Sequence, residues 1–217
     1  MERARVIIIG AGGFGREMLW TLGDVAAAGC DWEFAGFLDG RVDHAREALR
    51  AKGVGLPVLG SPDDYQPRDE ERFVCAIGDP GAKLRVCEAL RDRGARFQTA
   101  IHPTALVAPD AVYGTGLILR HGAGLSVNTV VGDFVTLNSY AGLGHDAVVE
   151  DGCTLSSFCD VMGGAHLERG VFMGSHAMVA PGVRVSEFAK VGAGSLALRR
   201  VAAAATVLGV PARTLGF

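Results

Sequence analysis

An apolar residue recurs at every sixth position of the chain from Ile101 to Val191, through sixteen successive hexads without a break. A second column lies four residues after each of these positions and is nearly always small or β-branched, with Leu117 as the bulky exception. In five hexads the apolar residue is followed directly by a glycine, namely Gly114, Gly132, Gly144, Gly174 and Gly192. A six-residue period matches neither an amphipathic helix nor a long strand, and it is typical of a parallel β-helix built from hexapeptides.

In such a β-helix each hexad forms one short face of a triangular coil, and three hexads complete a turn. Residues that are 18 apart in the sequence therefore stack on one another. Both columns are predicted to point into a narrow prism, whereas the remaining positions face outward or form corners. The array amounts to a little more than five coils.

The first hundred residues follow another pattern, in which apolar runs alternate with segments of helical spacing. Because these runs are unbroken, they are typical of strands buried on both faces of a parallel sheet. The pattern predicts strands over 5–9, 33–38 and 72–77, helices over 16–22 and 82–93, a loop with a short helix over 41–49, and an edge or connecting segment over 56–60. We therefore expect a small Rossmann-like α/β domain over residues 1–97 and a β-helix with a C-terminal tail over residues 98–217. The alanine-rich stretch 202–205 fits a last helical turn or a loop.

Composition narrows the class of protein. Of the 217 residues, 49% are hydrophobic, which is enough for a substantial core, and the net charge of −3 gives no electrostatic footprint for nucleic acid. The N-terminus lacks the long apolar run of a signal peptide, and no stretch approaches a membrane span. Five scattered cysteines fit reduced, mostly buried thiols and lack the clustered spacing of a zinc site. We expect a cytoplasmic protein without a metal ion and without a nucleic-acid or membrane partner.

A glycine-rich turn, Gly10 to Gly15, joins the first predicted strand to the first predicted helix. Glycines in this position allow a tight turn and a close approach of the backbone to a ligand, while the helix N-terminus favours a phosphate. Alone, the motif would suggest a dinucleotide oxidoreductase, but about three strands are half of what a dinucleotide crevice needs. The glycine-rich motif has two interpretations: it binds a nucleotide or diphosphate, or it is simply a tight turn. Asp39, after the second strand, is placed to accept a hydrogen bond from a ribose or sugar hydroxyl.

Six histidines are candidates for catalysis, and His145 stands out by its setting between Gly144 and Asp146. It is third in its hexad and is expected to point outward. Its neighbours in the stack, at intervals of 18, are Val127, Gly163, Pro181 and Arg199. The column therefore places an imidazole beside a glycine, where a thin ligand has room, with Arg199 and Arg200 further along to meet its phosphates.

Several motifs of the chain together resemble those of the NeuD/PglD-type sugar acetyltransferases. They are the hexapeptide array, Gly144-His145-Asp146, the segment 191–194, the closing segment 209–213, the glycine turn 10–15 and the segment 37–39. The resemblance covers essentially the whole chain. It implies a left-handed β-helix, a homotrimer and acetyl-CoA as cosubstrate. The best-studied members of this family acetylate the amine of nucleotide-linked amino sugars.

By position, the resemblance implies that His145 is the general base and Asp146 the acidic residue that supports it. It also implies an active-site role next to the cofactor for Asn138, and cofactor contacts through the backbone of Gly163, Ser175 and Ala193; the stack described above adds Arg199 as a cofactor-binding residue. The nucleotide-sugar pocket would be formed by Gly12, Gly13, Phe14, Asp39, Gly40 and Gly78. Two positions depart from the pattern: Phe14 replaces a common histidine, and Thr154, expected near the acetyl group, stands where a relative has histidine.

These observations predict an acetyl-CoA-dependent N-acetyltransferase that acts on a nucleotide-activated amino sugar by direct attack of the amine on the thioester. An imidazole suits the proton transfer near neutral pH. No acyl-enzyme is required, and Cys153 and Cys159 are expected to face inward. The alternatives are O-acetylation of a sugar hydroxyl, and a non-catalytic β-helix that serves as a scaffold or as a nucleotide-sensing subunit.

Overall fold

The N-terminal part of the computed structural model, which describes residues 3–215, is a parallel four-stranded sheet flanked by three helices. The sheet order is β3-β2-β1-β4. The strands are β1 (Ala4–Ile9), β2 (Trp32–Leu38), β3 (Val58–Gly60) and β4 (Glu71–Cys75), and the helices are α1 (Gly13–Ala27), α2 (Val42–Ala51) and α3 (Pro80–Asp92).

The alternation of side chains along β1 explains why helices cover both faces of this sheet. Val6 and Ile8 pack in one cluster with α1 and α2, whereas Ile7 and Ile9 pack in the other with α3. All four are buried, as the unbroken aliphatic run predicts.

Two elements are more regular than the sequence predicts. Val58–Gly60 pairs in parallel with β2 and becomes a fourth, edge strand. The polar segment after β2 forms a full helix, α2, because Ala45 and Leu49 fall on one side of it and are buried against the sheet.

The second part of the chain is a parallel β-helix of triangular coils with two-residue strands on each face. Face 1 consists of Ala100–Ile101, Ile118–Leu119, Thr136–Leu137, Thr154–Leu155, Phe172–Met173, Lys190–Val191 and Thr206–Leu208. Face 2 consists of Leu106–Val107, Gly124–Leu125, Gly142–Leu143, Asp160–Val161, Met178–Val179 and Leu196–Ala197. Face 3 consists of Val112–Tyr113, Val130–Val131, Val148–Val149, His166–Leu167 and Arg184–Val185.

The two predicted columns fill the interior of this prism. From Leu117 to Val191 they form one continuous buried cluster that includes the sulfurs of Cys153 and Cys159. The first coil is more open, since Tyr113 in the apolar column remains 41% exposed. Neighbouring strands on each face are 18 residues apart, for example Val130 beside Val148, which confirms the predicted stacking.

The last coil is shorter by two residues, and this explains where the sequence period ends. Val201 bridges to Val185, and Thr206 pairs with Lys190, so each pair is 16 residues apart rather than 18. The alanine-rich stretch 202–205 is therefore part of a coil corner and is not helical. The chain then reverses, and Arg213–Thr214 pairs antiparallel with the last strand of face 1.

Face 1 lies against the α/β domain, and a buried lysine links the two. Lys83 of α3 is 1% exposed, and its Nζ donates hydrogen bonds to Thr136 Oγ1 (3.2 Å), the Cys153 carbonyl (3.0 Å) and Thr154 Oγ1 (2.8 Å). Burial without a carboxylate partner lowers the pKa of Lys83 to about 8. The contact fixes α3 on the β-helix by directional bonds as well as by apolar packing.

Within residues 3–215, the side-chain hydrogen bonds of the α/β domain with the β-helix involve face 1 and the two edges that border it. We call the edge between faces 1 and 2 the 1–2 corner, and the edges that follow the 2–3 corner and the 3–1 corner. No helix within residues 3–215 has both the length and the apolar character needed to cross a membrane.

Candidate active site

His145 and Asp146 form a hydrogen-bonded pair on the 2–3 corner. His145 Nδ1 lies 2.7 Å from Asp146 Oδ2, and their side chains are 67% and 56% exposed. Because an ionised carboxylate only accepts hydrogen bonds, this contact assigns the proton of a neutral imidazole to Nδ1. Nε2 is then left with a lone pair, which is the arrangement of a general base.

The pair is supported from the coil below. Asp146 adopts a left-handed conformation with φ 59°, and Asn128 Nδ2 donates to its Oδ1 at 3.1 Å. These hydrogen bonds, first from His145 and then from Asn128, lower the pKa of the Asp146 carboxyl group. The carboxylate therefore remains ionised at neutral pH and keeps the imidazole oriented.

Gly163 lies directly over the reactive edge of the imidazole. A Cβ atom on Gly163 would approach His145 Nε2 to 2.5 Å, a distance that side chains do not tolerate. The equivalent positions one coil below and one coil above carry the side chains of Val127 and Pro181. The sequence prediction of an imidazole beside a glycine thus agrees with the geometry, and the missing side chain leaves Nε2 accessible.

Arg199 lies on the same corner, three coils beyond His145, or about 14 Å at the usual strand spacing. It lines a small cavity of about 160 Å³ together with Leu198, Pro211 and Arg213. The antiparallel return of the chain brings Arg213 there, and the sequence analysis did not single out this side chain. Two guanidinium groups at that distance from the imidazole suit the phosphates of an extended ligand whose reacting end lies at His145.

Three other predicted cofactor residues lie on the 1–2 corner, across face 2 from His145: Asn138, Ser175 and Ala193. Ser175 and Ala193 are exposed, whereas Asn138 is partly buried. Asn138 Nδ2 donates to the Leu155 carbonyl at 3.1 Å, and its Oδ1 accepts from Arg120 at 3.4 Å. A single chain therefore does not gather all the predicted donor-site residues at one place.

The same 1–2 corner carries a row of aromatic side chains, His121, Tyr140, Phe158 and His176, which Trp20 of α1 extends by its contact with His121 at 5.4 Å between ring centroids. We call this row the aromatic ladder. Tyr140 and Phe158 stack with ring centroids 5.1 Å apart, and Phe158 and His176 stack at 4.8 Å. Tyr140 and Phe158 are 56% and 49% exposed, so the ladder is an apolar surface open to solvent. Burial lowers the pKa of His121 within the row, and the charge of Arg120 adds to this effect.

Between the two corners, face 2 is concave. Gly124 and Gly142 follow each other in its outward column, and a shallow cavity of about 450 Å³ extends over them to Gly144. Leu106 and Asp160 close the cavity at its ends. This depression borders the His145 corner and is wide enough for a chain-like ligand or a neighbouring side chain.

Thr154 does not lie near His145. It is on face 1, 2% exposed, and its hydroxyl accepts a hydrogen bond from Lys83 beneath α3. A side chain enclosed in this way has no access to a cofactor. The expected role of Thr154 near the acetyl group is therefore incompatible with the structure, and its position is explained by the contact between the α/β domain and the β-helix.

A second cavity, of about 490 Å³, lies at the carboxyl ends of the parallel strands of the α/β domain. The ends of β1, β2 and β4 contribute Gly10, Asp39 and Ile77 to its lining, which also includes Gly40. Ligands in open α/β sheets bind at this edge. Gly78, next to Ile77, and Gly12, after Gly10, lie in the flanking turns. Gly13 and the partly buried Phe14 are the first two residues of α1.

The glycines of the turn divide into two kinds. A Cβ atom on Gly15 would lie 2.0 Å from the Gly10 carbonyl oxygen, and Gly10 has φ +98°, so these two are required for the turn itself. Gly12 and Gly13 are exposed, and a Cβ atom on either would meet nothing within 4 Å. The fold does not require glycine at these two positions, which leaves the open backbone at the start of α1 free for a ligand.

Asp39 shapes this turn from the neighbouring strand. Its Oδ2 accepts a hydrogen bond from the Ala11 amide at 2.9 Å, and its Oδ1 accepts one from the Arg41 amide at 2.9 Å. The carboxylate therefore joins the glycine turn to the start of α2. Its remaining lone pairs are available to a hydroxyl group.

The cysteines offer no nucleophile here. Burial raises the pKa of the Cys153 thiol to about 12 and that of Cys159 to about 11, and both sulfurs point into the prism. Within residues 3–215 no three histidine, cysteine, aspartate or glutamate side chains are grouped so that they could hold a metal ion.

Comparison with known proteins agrees with this architecture. Residues 5–90 match the family model of the PglD N-terminal domain. Perosamine N-acetyltransferase from Caulobacter crescentus, solved with CoA and GDP-perosamine, is 26% identical over 99% of this chain and 98% of its own, with a TM-score of 0.86. The acetyltransferase domain of PglB from Neisseria gonorrhoeae, solved with acetyl coenzyme A, is 24% identical over 99% of this chain and 100% of its own, with a TM-score of 0.84. A search of curated protein sequences gives no match.

The fold, together with the His145–Asp146 pair on the 2–3 corner, thus defines a β-helix acyltransferase with an α/β domain at its N-terminus. Residues 5–90 therefore belong to the family of the PglD N-terminal domain, and the full-length structural matches confirm the resemblance of the whole chain to the NeuD/PglD-type sugar acetyltransferases. The proteins matched in structure are CoA-dependent sugar acetyltransferases.

Proposed function

We propose that the protein transfers the acetyl group of acetyl-CoA to the amine of a nucleotide-activated amino sugar, with His145 as general base. The observation that carries the proposal is the His145–Asp146 pair, with Nδ1 bound to the carboxylate at 2.7 Å and Nε2 open beneath Gly163. Acetyl-CoA supplies an activated thioester that an amine attacks directly. His145 Nε2 accepts the proton that the amine loses as the C–N bond forms, and Asp146 stabilises the imidazolium that results. The C–S bond then breaks, and the departing CoA thiolate takes up this proton and leaves as the free thiol.

The acceptor site that we assign is the cavity at the sheet edge of the α/β domain. Gly10, Asp39 and Gly40 line its wall, and Gly12 and Gly13 offer open backbone just beyond Gly10. Phe14 presents apolar surface where relatives commonly have histidine, so we expect the site to tolerate a deoxy or methyl-bearing sugar. We keep residues 1–97 as the acceptor-binding domain and residues 98–217 as the donor-binding domain.

The donor site in this proposal lies between two subunits of a homotrimer. His145, Gly163 and Arg199 lie on the 2–3 corner, whereas Asn138, Ser175 and Ala193 lie on the 1–2 corner of the same chain. One corner has too little concavity to enclose a cofactor. A neighbouring prism that presents its 1–2 corner to this 2–3 corner supplies the missing wall, and threefold symmetry closes such a heterologous contact.

The decisive assay uses purified protein, acetyl-CoA and a panel of nucleotide-linked 3-amino and 4-amino sugars. We expect release of free CoA thiol that depends on one of the amino sugars and an amide product that resists hydroxylamine. A product cleaved by hydroxylamine would instead be an ester and would establish O-acetylation. Absence of turnover with every sugar, combined with tight nucleotide binding, would favour a sensing subunit.

A substitution in the glycine turn tests the position of the acceptor. Gly13→Leu should fold normally, because a Cβ atom there meets nothing within 4 Å. We expect it to raise KM for the nucleotide sugar with little change in KM for acetyl-CoA. Equal changes in both constants would contradict the assignment of the two ligands to different domains.

A further inference from the structure

The cavity at the sheet edge contains two arginine side chains that the proposed function has not used. Arg41 reaches it from the start of α2, and Arg85 reaches it from the second turn of α3. The remaining lining is mostly apolar and includes Ile9, Leu38, Ile77 and Val86. Two cations in a cavity with apolar walls are suited to an anionic ligand that also carries a flat or apolar part.

The arginines of α3 and of its C-cap, Arg93, differ in what they bind. Arg91 forms an ion pair with Asp133 at 3.0 Å, and Arg93 donates to the carbonyls of Pro62 and Asp63. Within residues 3–215 the guanidinium group of Arg85 makes neither an ion pair nor a hydrogen bond, and the same holds for that of Arg41. Their five donors each are therefore free for a ligand.

Two carboxylates, those of Asp39 and Asp63, also line the cavity, and neither forms an ion pair with Arg41 or Arg85 within residues 3–215. The Asp39 carboxylate already accepts two backbone amides at 2.9 Å, which hold it against the glycine turn and the start of α2. Asp63, on the opposite wall of the cavity, lies in a loop whose backbone carbonyl accepts a hydrogen bond from Arg93 at the end of α3. This hydrogen bond fixes the position of that wall. The cavity thus has a fixed wall on one side and two free guanidinium groups.

We propose that Arg85, together with Arg41, binds the diphosphate of the acceptor substrate and thereby orients the nucleotide sugar. This inference rests on the proposed function and deepens it. A guanidinium group fits two phosphate oxygens at once, which gives orientation as well as affinity. The apolar strand ends and Val86 then contact the base or sugar, and the open backbone of Gly12 and Gly13 remains available to the same anion.

The test compares Arg85→Gln with Arg50→Gln in the full-length protein. Arg50 is an exposed arginine in the last turn of α2 and lies outside the cavity, so its substitution is a matched control for charge. Calorimetry measures the binding of GDP, UDP and the corresponding nucleosides. We expect Arg85→Gln to weaken binding of the preferred diphosphate by about tenfold or more, as for the loss of a charge-assisted hydrogen bond. Arg85→Lys should recover part of this loss.

Nucleosides give the discriminating readout. Their binding should be equal in wild type, Arg85→Gln and Arg50→Gln, because they carry no phosphate, and KM for acetyl-CoA should be unchanged in all three. If wild type binds a diphosphate and Arg85→Gln binds it equally well, or loses the nucleoside to the same extent, the assignment of Arg85 is wrong while the proposed function stands. If wild type binds neither GDP nor UDP, both the assignment and the proposed acceptor site are wrong.

Discussion

The 1–2 corner and the 2–3 corner of the β-helix follow the same backbone path and carry opposite kinds of side chain. Each places one residue per coil in the left-handed conformation. On the 2–3 corner these are Asn128 and Asp146, at φ 57° and 59°, followed by glycines. Asn, Asp and Gly adopt this conformation at little cost. On the 1–2 corner they are Tyr140, Phe158 and His176, at φ 58–61°, with a glycine at each end of the row, Gly122 and Gly194.

A bulky residue in this conformation is strained, so its presence needs a compensating interaction. Stacking within the aromatic ladder supplies part of it, but Tyr140 and Phe158 remain about half exposed. A surface of this kind gains most when a partner covers it. We therefore propose that the 2–3 corner carries the chemistry and that the 1–2 corner mediates association. Substitutions at equivalent positions on the two corners test this proposal.

The largest effect is expected at His145. His145→Asn removes the base from the 2–3 corner and should lower kcat by about 10²–10⁴-fold, the usual cost of losing a general base. The side chain is 67% exposed, so the melting temperature should hardly change. Thiol release from acetyl-CoA measures the loss.

The control for this substitution is His166→Asn. His166 lies on face 3, away from the 1–2 and 2–3 corners, and its Nε2 is 2.7 Å from Glu150 Oε1. It should keep near wild-type turnover. A His145→Asn variant within threefold of wild type would move the base elsewhere, with His121 and His176 the next candidates.

Asp146→Asn should have the next largest effect. Asparagine tolerates the left-handed conformation at this position, so the corner keeps its shape while the carboxylate is lost. An amide no longer selects the tautomer with the proton on Nδ1. We expect kcat to fall by about 10–100-fold, less than the ~10⁴-fold known for a buried aspartate of this kind, because Asp146 is 56% exposed. Unchanged kcat at all pH values would show that the carboxylate does not orient the imidazole.

Gly163→Ala should have a smaller effect, which depends on His145. Gly163 has an ordinary backbone conformation, so alanine fits the backbone. Its Cβ, however, would lie only 2.5 Å from His145 Nε2, so the imidazole would have to move away. We expect kcat to fall by about tenfold, since displacement of a catalytic group by about 1 Å costs up to ~10²-fold.

A double-mutant cycle isolates this contact. In a His145→Ala background, Gly163→Ala should cause no further loss, because the atom with which it collides is gone. An equal loss in both backgrounds would mean that Gly163 acts through direct contact with the ligand and not through the imidazole.

The β-helix could be predicted in detail from the sequence because its packing repeats locally. Each interior position meets the same neighbours one coil away, so the period of six appears directly in the chain. The structure adds the reason for the glycines that follow the apolar column. A Cβ atom on Gly144 or Gly174 would lie 2.7 or 2.6 Å from a backbone nitrogen of the next coil. The register was lost near residue 197 because the last coil is two residues shorter, and composition carries no sign of this.

The donor site was predicted less well, for two different reasons. The interval of 18 indicates which residues stack on one another. The corner on which a residue lies depends instead on its position within the coil. Asn138 and His145 are seven residues apart and so belong to different corners. The position of Thr154 depends on Lys83, which is 71 residues earlier in the chain and belongs to the other domain. A periodic pattern contains no information on such a contact.

The smallest effect on turnover is expected at Phe158, on the 1–2 corner. Phe158→Asn removes a ring from the aromatic ladder and keeps a residue that tolerates φ 61°. Loss of a buried aromatic residue from an interface usually costs enough to weaken association by about tenfold or more. The concentration at which the trimer dissociates should rise accordingly in sedimentation experiments, whereas kcat at concentrations that preserve the trimer should stay within about twofold.

Phe188→Asn is a closely matched control for this substitution. Phe188 occupies the same left-handed position on the 3–1 corner, with φ 54°, and is 39% exposed. It is outside the aromatic ladder and on neither corner of the proposed interface, so its loss should leave assembly unchanged. If both variants weakened the trimer equally, association would depend on general coil stability and not on the 1–2 corner. If Phe158→Asn were a fully active monomer, the donor site would be complete within one chain, and the proposed role of the neighbouring subunit would be wrong.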